Sequence, residues 1–291
     1  MSPVYDCTTE SGRAEGVAKA VEAVRDGKVV VLPTDTVYGV GADAFSQEAV
    51  AAVLAAKGRG REMPPPVLVP NVRTVDGLAT DVPPWARDLI REFWPGPLTL
   101  IFKAQSSLMW DLGETNGTVA LRMPQDDVAL EVLAEVGPMA VTSANRTGQP
   151  PATTVTDAAA QLGAAVEVYL DAGRRADNVP STIVDCTGEE PSILREGALG
   201  ADRLAAVLDA HFPPEGPEDT PEDTPEDTPE DTPEDTSEDA PEDVPEVAPA
   251  GAPAAGAVED DGPEAYAGAG SQDGAIELPA DSTPPAGEQR P

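Results

Sequence analysis

Residues 28–41 read Lys28-Val-Val-Val-Leu-Pro-Thr-Asp-Thr-Val-Tyr-Gly-Val-Gly41, and the two halves of this stretch decide the fold. Lys28–Leu32 is short, β-branched and nearly all apolar, the pattern of a strand buried on both faces. Pro33 ends it, because proline has no amide hydrogen to give a sheet ladder. Pro33–Gly41 then reads as a loop leaving the strand, which is where α/β proteins place ligand contacts. It offers two hydroxyls, a carboxylate, a phenol and flexible backbone. Its Gly-Val-Gly lacks the remaining glycine of a dinucleotide fingerprint, and no P-loop pattern occurs in the chain, so a plain turn stands beside a ligand loop as a reading.

Helical periodicity flanks this strand. From Ser11 the sequence reads as a capped helix, with Ala14, Val17, Ala18, Val21 and Val24 recurring at helix spacing and Gly27 placed to stop it. Ser46 is placed to cap a second helix through Ala49, Val50, Val53 and Leu54, which runs into the basic stretch Lys57-Gly-Arg-Gly-Arg61. Further strands are expected at 66–69, 98–103, 118–123, 139–142, 166–170, 181–185 and 192–195, and further helices at 84–93, 126–136, 155–162 and 201–210. Neither strict βαβ alternation nor all-β spacing fits. The expected fold class is α/β, a twisted mixed sheet with helices packed on it.

Charge divides the chain. It has 291 residues, 53 acidic and 18 basic, for a formal charge of −35. Residues 1–212 hold 29 acids against 17 bases and enough apolar content for one domain of this class. Residues 213–291 hold 24 acids against Arg290 alone, half of the 32 prolines, and five tandem Pro-Glu-Asp-Thr units over 217–236. Like-charge repulsion, proline and scarce apolar surface predict a disordered acidic Pro/Glu/Asp/Thr and Ala/Pro/Gly tail, either solubilising or partner-binding. No apolar run approaches the roughly 18 residues of a membrane span, and residues 1–10 lack the basic start and apolar stretch of a secretory signal, which predicts a cytoplasmic protein. The single histidine, His211, leaves histidine-base catalysis and histidine-ligated metal sites little to work with. Cys7 and Cys186 fit no CxxC spacing and are expected as reduced thiols with structural roles.

Several segments carry candidate chemistry. Lys57, Arg59 and Arg61 lie at a helix C-terminus, where cations complement the dipole, yet three cations separated by glycines also make an adaptable anion cradle. Thr118-Val-Ala-Leu-Arg-Met-Pro124 sets Arg122 in an apolar strand, where a guanidinium needs an anion, either an internal carboxylate or a ligand's. Ala140-Val-Thr-Ser-Ala-Asn-Arg-Thr-Gly148 empties an apolar strand into hydroxyls, an amide and glycine, which suits an anion site or an ordinary Asx or hydroxyl turn. Pro180-Ser-Thr-Ile-Val-Asp185 and Ile193-Leu-Arg-Glu-Gly197 add another hydroxyl pair and a strand-borne arginine. Donors abound, with no obvious nucleophile or base. That suits a phosphoryl transfer whose nucleophile belongs to the substrate.

The ordered series Pro33–Gly39, Lys57-Gly-Arg59, Val119–Pro124, Thr142-Ser-Ala-Asn145 with Gly148, Ser181–Asp185 and Ile193–Gly197 resembles the YrdC family of threonylcarbamoyl-AMP synthases over about residues 10–210. The resemblance implies a YrdC-like α/β fold around a basic cavity. It also implies conversion of L-threonine, bicarbonate and ATP to threonylcarbamoyl-AMP and pyrophosphate, for N6-threonylcarbamoyladenosine in tRNA. Magnesium is implied with the ATP. Small-molecule substrates and transient contact with tRNA-modifying transfer proteins are implied too, with no stable nucleic-acid binding and no membrane. By position, Thr34, Tyr38, Arg122, Thr142 and Ser181 would hold threonine. Lys57, Arg59, Arg61, Thr118, Ser143, Asn145, Thr153 and Arg195 would line the ATP side, with Lys57, Arg59 and Arg122 acting on the reaction. One departure is that Pro66-Val-Leu-Val-Pro70 carries proline where many family members have a histidine. A second is that the tail shows no sign of the extra C-terminal domain of longer members. A non-catalytic YrdC-type RNA-binding module is the alternative, against which the domain's net −12 argues. A hydrogenase-maturation carbamoyl-transfer domain ranks last, because its zinc-binding cysteine clusters are missing.

Overall fold

A computed structural model of the chain describes residues 2–175 and 179–213. The acidic tail anticipated from residue 213 lies, apart from Pro213, outside the described residues. In chain order the elements are β1 (Val4–Asp6), α1 (Glu10–Arg25), β2 (Val30–Leu32), β3 (Gly39–Asp43), α2 (Gln47–Lys57), β4 (Val67–Leu68), α3 (Val75–Leu78), β5 (Ala79–Thr80), α4 (Pro84–Phe93), β6 (Leu98–Ala104), β7 (Thr118–Arg122), α5 (Asp127–Val136), β8 (Met139–Ser143), α6 (Val155–Leu162), β9 (Val168–Asp171), β10 (Thr182–Asp185), β11 (Ser192–Arg195) and α7 (Ala201–Leu208). The strands form one sheet ordered β1-β9-β2-β3-β8-β4-β7-β6-β10-β11, with β5 paired to β6. It is mixed: β1–β9, β9–β2, β4–β7 and β6–β10 are parallel, and the other pairs antiparallel.

Two-residue alternation sorts each strand between layers. Val30 and Leu32 pack with α1 and α5, while Val31 between them packs with α2 and α6. β9 does the same, with Val168 and Leu170 on one side and Tyr169 on the other. Farther along the sheet, Leu98, Leu100 and Phe102 of β6 and Leu121 of β7 share a core with α4 and α7. The side chains between them, Thr99, Ile101, Ala120 and Arg122, therefore point to the opposite face, and there the cavity lies.

Three sequence expectations are corrected. Thr9, not Ser11, caps α1, its hydroxyl accepting from Gly12 N at 3.2 Å. The stretch Pro33–Gly41 is a loop only as far as Tyr38, because Gly39–Asp43 forms β3, antiparallel to both β2 and β8. Its glycines serve close packing: a Cβ would sit 2.6 Å from Val141 Cγ1 at Gly39 and 2.5 Å from Val141 Cγ2 at Gly41. β1, β5 and α3 were not anticipated, being two to four residues long and too short to show a period.

Candidate active site

Strands β6, β7 and β10, the end of β8, and the Pro33–Tyr38 loop surround a cavity of about 470 Å³, within the roughly 300–1,000 Å³ of small-molecule sites. It brings together Thr34, Tyr38, Arg59, Thr118, Arg122, Thr142, Ser143, Ser181 and Arg195 from six segments of the sequence. Among the described residues, no aspartate or glutamate lines it.

The three guanidinium groups differ in how their charge is met. Arg122 is nearly enclosed and donates from Nε to Gly96 O at 3.0 Å, from Nη1 to Thr36 Oγ1 at 3.2 Å, and from Nη2 to Asp35 Oδ1 at 2.6 Å. Its anion is thus internal, the first of the two options the sequence left open. Those bonds use three of five N–H groups, leaving one on each Nη nitrogen for the cavity. Burial weighs against the Arg122 charge and Asp35 supports it. Arg59 and Arg195 have no carboxylate within salt-bridge distance among the described residues. Gly58, at φ 64°, ends α2 and turns the chain so that Arg59 follows into the cavity with its Nε buried and unpartnered. Arg195 donates to Ser181 O at 2.7 and 3.1 Å and to Ser181 Oγ at 3.3 Å. Burial lowers the pKa of both groups, opposed at Arg59 by the nearby charge of Glu62 and helped at Arg195 by repulsion from Arg122. Two cations without a salt-bridge partner, in a cavity that no carboxylate lines among the described residues, form a seat for anions.

Other predicted residues sit elsewhere. Lys57 is 1% exposed and does not line the cavity. Its ammonium lies behind the wall, donating to Ser143 O, to Asn145 O at 2.8 Å and to Asn145 Oδ1 at 3.0 Å. Asn145 is likewise buried, its Oδ1 accepting from Ser143 Oγ at 2.6 Å. Lys57 and Asn145 thus hold the segment that presents Ser143. Arg61 points away and pairs with Asp111 at 2.7 Å on the surface. Thr153 lines a second hollow of about 500 Å³ with Arg174 and Arg175, sharing only Pro151 with the first. Tyr38 is fully buried, its hydroxyl donating to Gly173 O at 2.6 Å while the rest of the residue forms cavity wall.

The donor set does not suit a protein-held magnesium ion. Hard divalent cations want carboxylate oxygens, and among the described residues none lines the cavity and no cluster of three or more His, Cys, Asp or Glu could hold a metal.

Sequence reasoning noted the loop's Asp35 and Thr36 without giving them a role and missed Thr99 as a member of this network. Thr99 Oγ1 lies 2.9 Å from Ser181 Oγ, and Thr36 lies 3.1 Å from Thr34 Oγ1. The signal for Thr99 was present: a hydroxyl in register with Ile101 between the core positions Leu98 and Leu100 marks the non-core face.

A protein-family model named for Sua5, YciO and YrdC and described as telomere recombination matches residues 22–197. A Mycobacterium leprae protein, named provisionally as a threonylcarbamoyl-AMP synthase, is 56% identical over 208 residues, covering 72% of this chain and 94% of the relative. The threonylcarbamoyl-AMP synthase of Bacillus subtilis is 35% identical over 195 residues, 66% of this chain and 56% of its own. Among solved structures, P. abyssi Sua5 complexed with L-threonine superposes with a TM-score of 0.67 at 32% identity, over 71% of this chain and 61% of that one. E. coli YciO shares the fold, with a TM-score of 0.64 at 23% identity over 70% of this chain and all of its own.

Proposed function

Because the chain belongs to the Sua5/YciO/YrdC family, we propose that it is a threonylcarbamoyl-AMP synthase, which joins L-threonine, bicarbonate and ATP into threonylcarbamoyl-AMP and pyrophosphate. The product serves N6-threonylcarbamoyladenosine formation in tRNA, with other proteins completing the transfer. The observation that supports this reading is the pair of guanidiniums without a salt-bridge partner among the described residues, Arg59 and Arg195, sharing with Arg122, Thr142 and Ser181 a cavity that no described carboxylate lines. A nucleotide and an amino acid both bring anionic oxygens, and only the nucleotide brings enough charge to occupy two free cations.

In this assignment Arg122 meets the threonine carboxylate with its two spare N–H groups, and Thr34, Thr142 and Ser181 surround the amino acid with Tyr38 as wall. Arg59, Arg195, Thr118 and Ser143 take the nucleotide. Lys57 and Asn145 act from behind by fixing Ser143, while Arg61 and Thr153 lie outside the proposed ligand shell. Magnesium, if present, rides on the nucleotide phosphates.

Bicarbonate gives carbon dioxide and hydroxide; the amine nitrogen of threonine bonds to that carbon, and the proton it loses combines with the hydroxide as water, giving a carbamate. A carbamate oxygen then attacks the α-phosphorus. The new O–P bond forms as the bond from that phosphorus to the bridging oxygen breaks, and pyrophosphate leaves with the electron pair. Cationic donors fixed before the reaction stabilise the charge that accumulates on the leaving group. No enzyme nucleophile is needed, which agrees with a cavity lined by hydroxyls and guanidiniums.

The test is pyrophosphate release by the full-length protein with ATP and magnesium. Release is expected to require both threonine and bicarbonate, with threonylcarbamoyl-AMP identified by mass. If omitting either co-substrate changes nothing, or no adenylate forms, the reading fails.

A further inference from the structure

We propose that Arg175, which lines the second hollow rather than the cavity, is a positioning residue that holds the Pro33–Tyr38 loop in its substrate-presenting shape. The inference rests on the synthase reading for its kinetic consequence, and on geometry for the latch itself. Arg175 is 15% exposed and pairs with Asp126, itself 10% exposed, at 2.9 Å. The same Nη1 donates to the Thr34 carbonyl at 3.3 Å, Nη2 donates to Ala172 O, and the main-chain nitrogen donates to Thr153 O at 2.8 Å. The guanidinium also lies over the Tyr38 ring, 5.6 Å from its centroid. One side chain thus joins both ends of the loop to the N-terminus of α5 and the end of β9.

The rest of the neighbourhood completes the clasp. Asp126 divides its oxygens: Oδ1 caps α5 by accepting from Val128 N and Ala129 N at 3.0 and 3.1 Å, and Oδ2 takes Arg175. Ala172 N donates to the Tyr38 hydroxyl at 3.1 Å, and Gly173 O accepts from it. Among the described residues, Arg175 is the one donor to the Thr34 carbonyl. A planar fork with five donors can serve Asp126, Ala172 and Thr34 together while stacking on Tyr38, and a lysine ammonium cannot. Released from Arg175, the loop keeps the Thr34–Val37 bond at 2.6 Å and the ties of Asp35 and Thr36 to Arg122 and Gln125, but the Thr34 main chain loses its own anchor outside the loop.

The experiment compares full-length wild type with Arg175→Lys and with the double variant Arg175→Gln/Asp126→Asn. The double variant leaves no unpaired buried charge and keeps an oxygen to cap α5, so it folds even if the single glutamine variant does not. Hydrogen exchange over residues 34–38 is expected to quicken in both variants. The KM for threonine is expected to rise roughly tenfold, the scale of one lost charge-assisted hydrogen bond, while the KM for ATP and kcat stay within about threefold. A merely structural role would lower thermal stability and raise both KM values together, or neither, and that result overturns the proposal. Unchanged exchange over 34–38 also overturns it. If wild type shows no threonine-dependent turnover while exchange quickens in the variants, the latch stands and the synthase reading falls.

Discussion

Replacing Lys57 by Met should separate stability from activity. The ammonium is 1% exposed, and burial with added repulsion from Arg59 pushes it from 10.5 down to about 7. A fall of that size opposes the charged form by about 4–5 kcal/mol at or below neutral pH. Against this stand its oxygen acceptors. Ser143 O retains Asn145 N at 2.9 Å and Asn145 Oδ1 retains Ser143 Oγ at 2.6 Å. Asn145 O alone loses its donor, at a cost of about 1–3 kcal/mol. The balance predicts that Lys57→Met is at least as stable as wild type in urea unfolding at pH 7, although it severs the tie behind Ser143. Activity should fall on the order of a hundredfold in kcat/KM for ATP, as expected when anion-binding groups lose their fixed placement. Because the folded pKa lies below the unfolded one, the unfolded chain holds the extra proton between about pH 7 and 10.5, and wild-type stability rises with pH across that window. The advantage of the Met variant should therefore shrink as pH rises. A variant less stable by more than about 3 kcal/mol, or a stability difference independent of pH, would refute the reasoning. So would rapid acylation of Lys57 in the native protein, at a rate like that of the half-exposed Lys19.

Arg195→Ala should lower pyrophosphate release on the order of a hundredfold in kcat by removing one fixed cation from the leaving group, and activity near wild type would remove Arg195 from the site. Asp35→Asn leaves Arg122 charged and without its carboxylate, so chemical denaturation should show a loss of about 3 kcal/mol. Threonine should then raise the melting temperature more in that variant than in wild type, because its carboxylate restores the pair; an equal or smaller rise means that Arg122 does not face the amino acid. Gly41→Ala forces a methyl against Val141 and Ala140 O, 2.7 Å away, and should cost about 1–3 kcal/mol by the same measurement. Stopped-flow association of ATP should quicken between low and moderate salt, since added ions screen the repulsion between a −35 chain and an anion; slowing would mean that the cavity's own field governs encounter.

Element type was legible wherever a period had room to repeat. The helices at 84–93 and 155–162 match their apolar spacing end to end, and the strand at 192–195 is found where it was expected. β3 was not legible, because Gly39-Val-Gly41 imitates a turn in isolation. Its glycines answer to Val141, about a hundred residues away in the chain, and no local pattern encodes that contact. At the site, sequence supplied residue types but not directions. Arg59 and Lys57 are two positions apart, yet the left-handed Gly58 sends one into the cavity and leaves the other behind its wall. Arg175 bears no motif at all, and its importance comes from what converges on it in space.

The arrangement explains how a strongly acidic chain can receive anionic substrates. Net charge describes the far field, and within a cavity the sign is set by whichever groups lack a partner. Arg122 is neutralised by Asp35, which lets a guanidinium remain buried and rigid, although its pull on a ligand then comes from two directed N–H groups rather than from free charge. The charges of Arg59 and Arg195 stay without an ion-pair partner because, among the described residues, no carboxylate lines the cavity. An amino acid, itself zwitterionic, is suited to the neutral pair, whereas a triphosphate needs the free cations. On the proposed assignment, the division of the cavity between two substrates would follow from where Asp35 sits: moving that single carboxylate beside Arg195 would exchange the two halves.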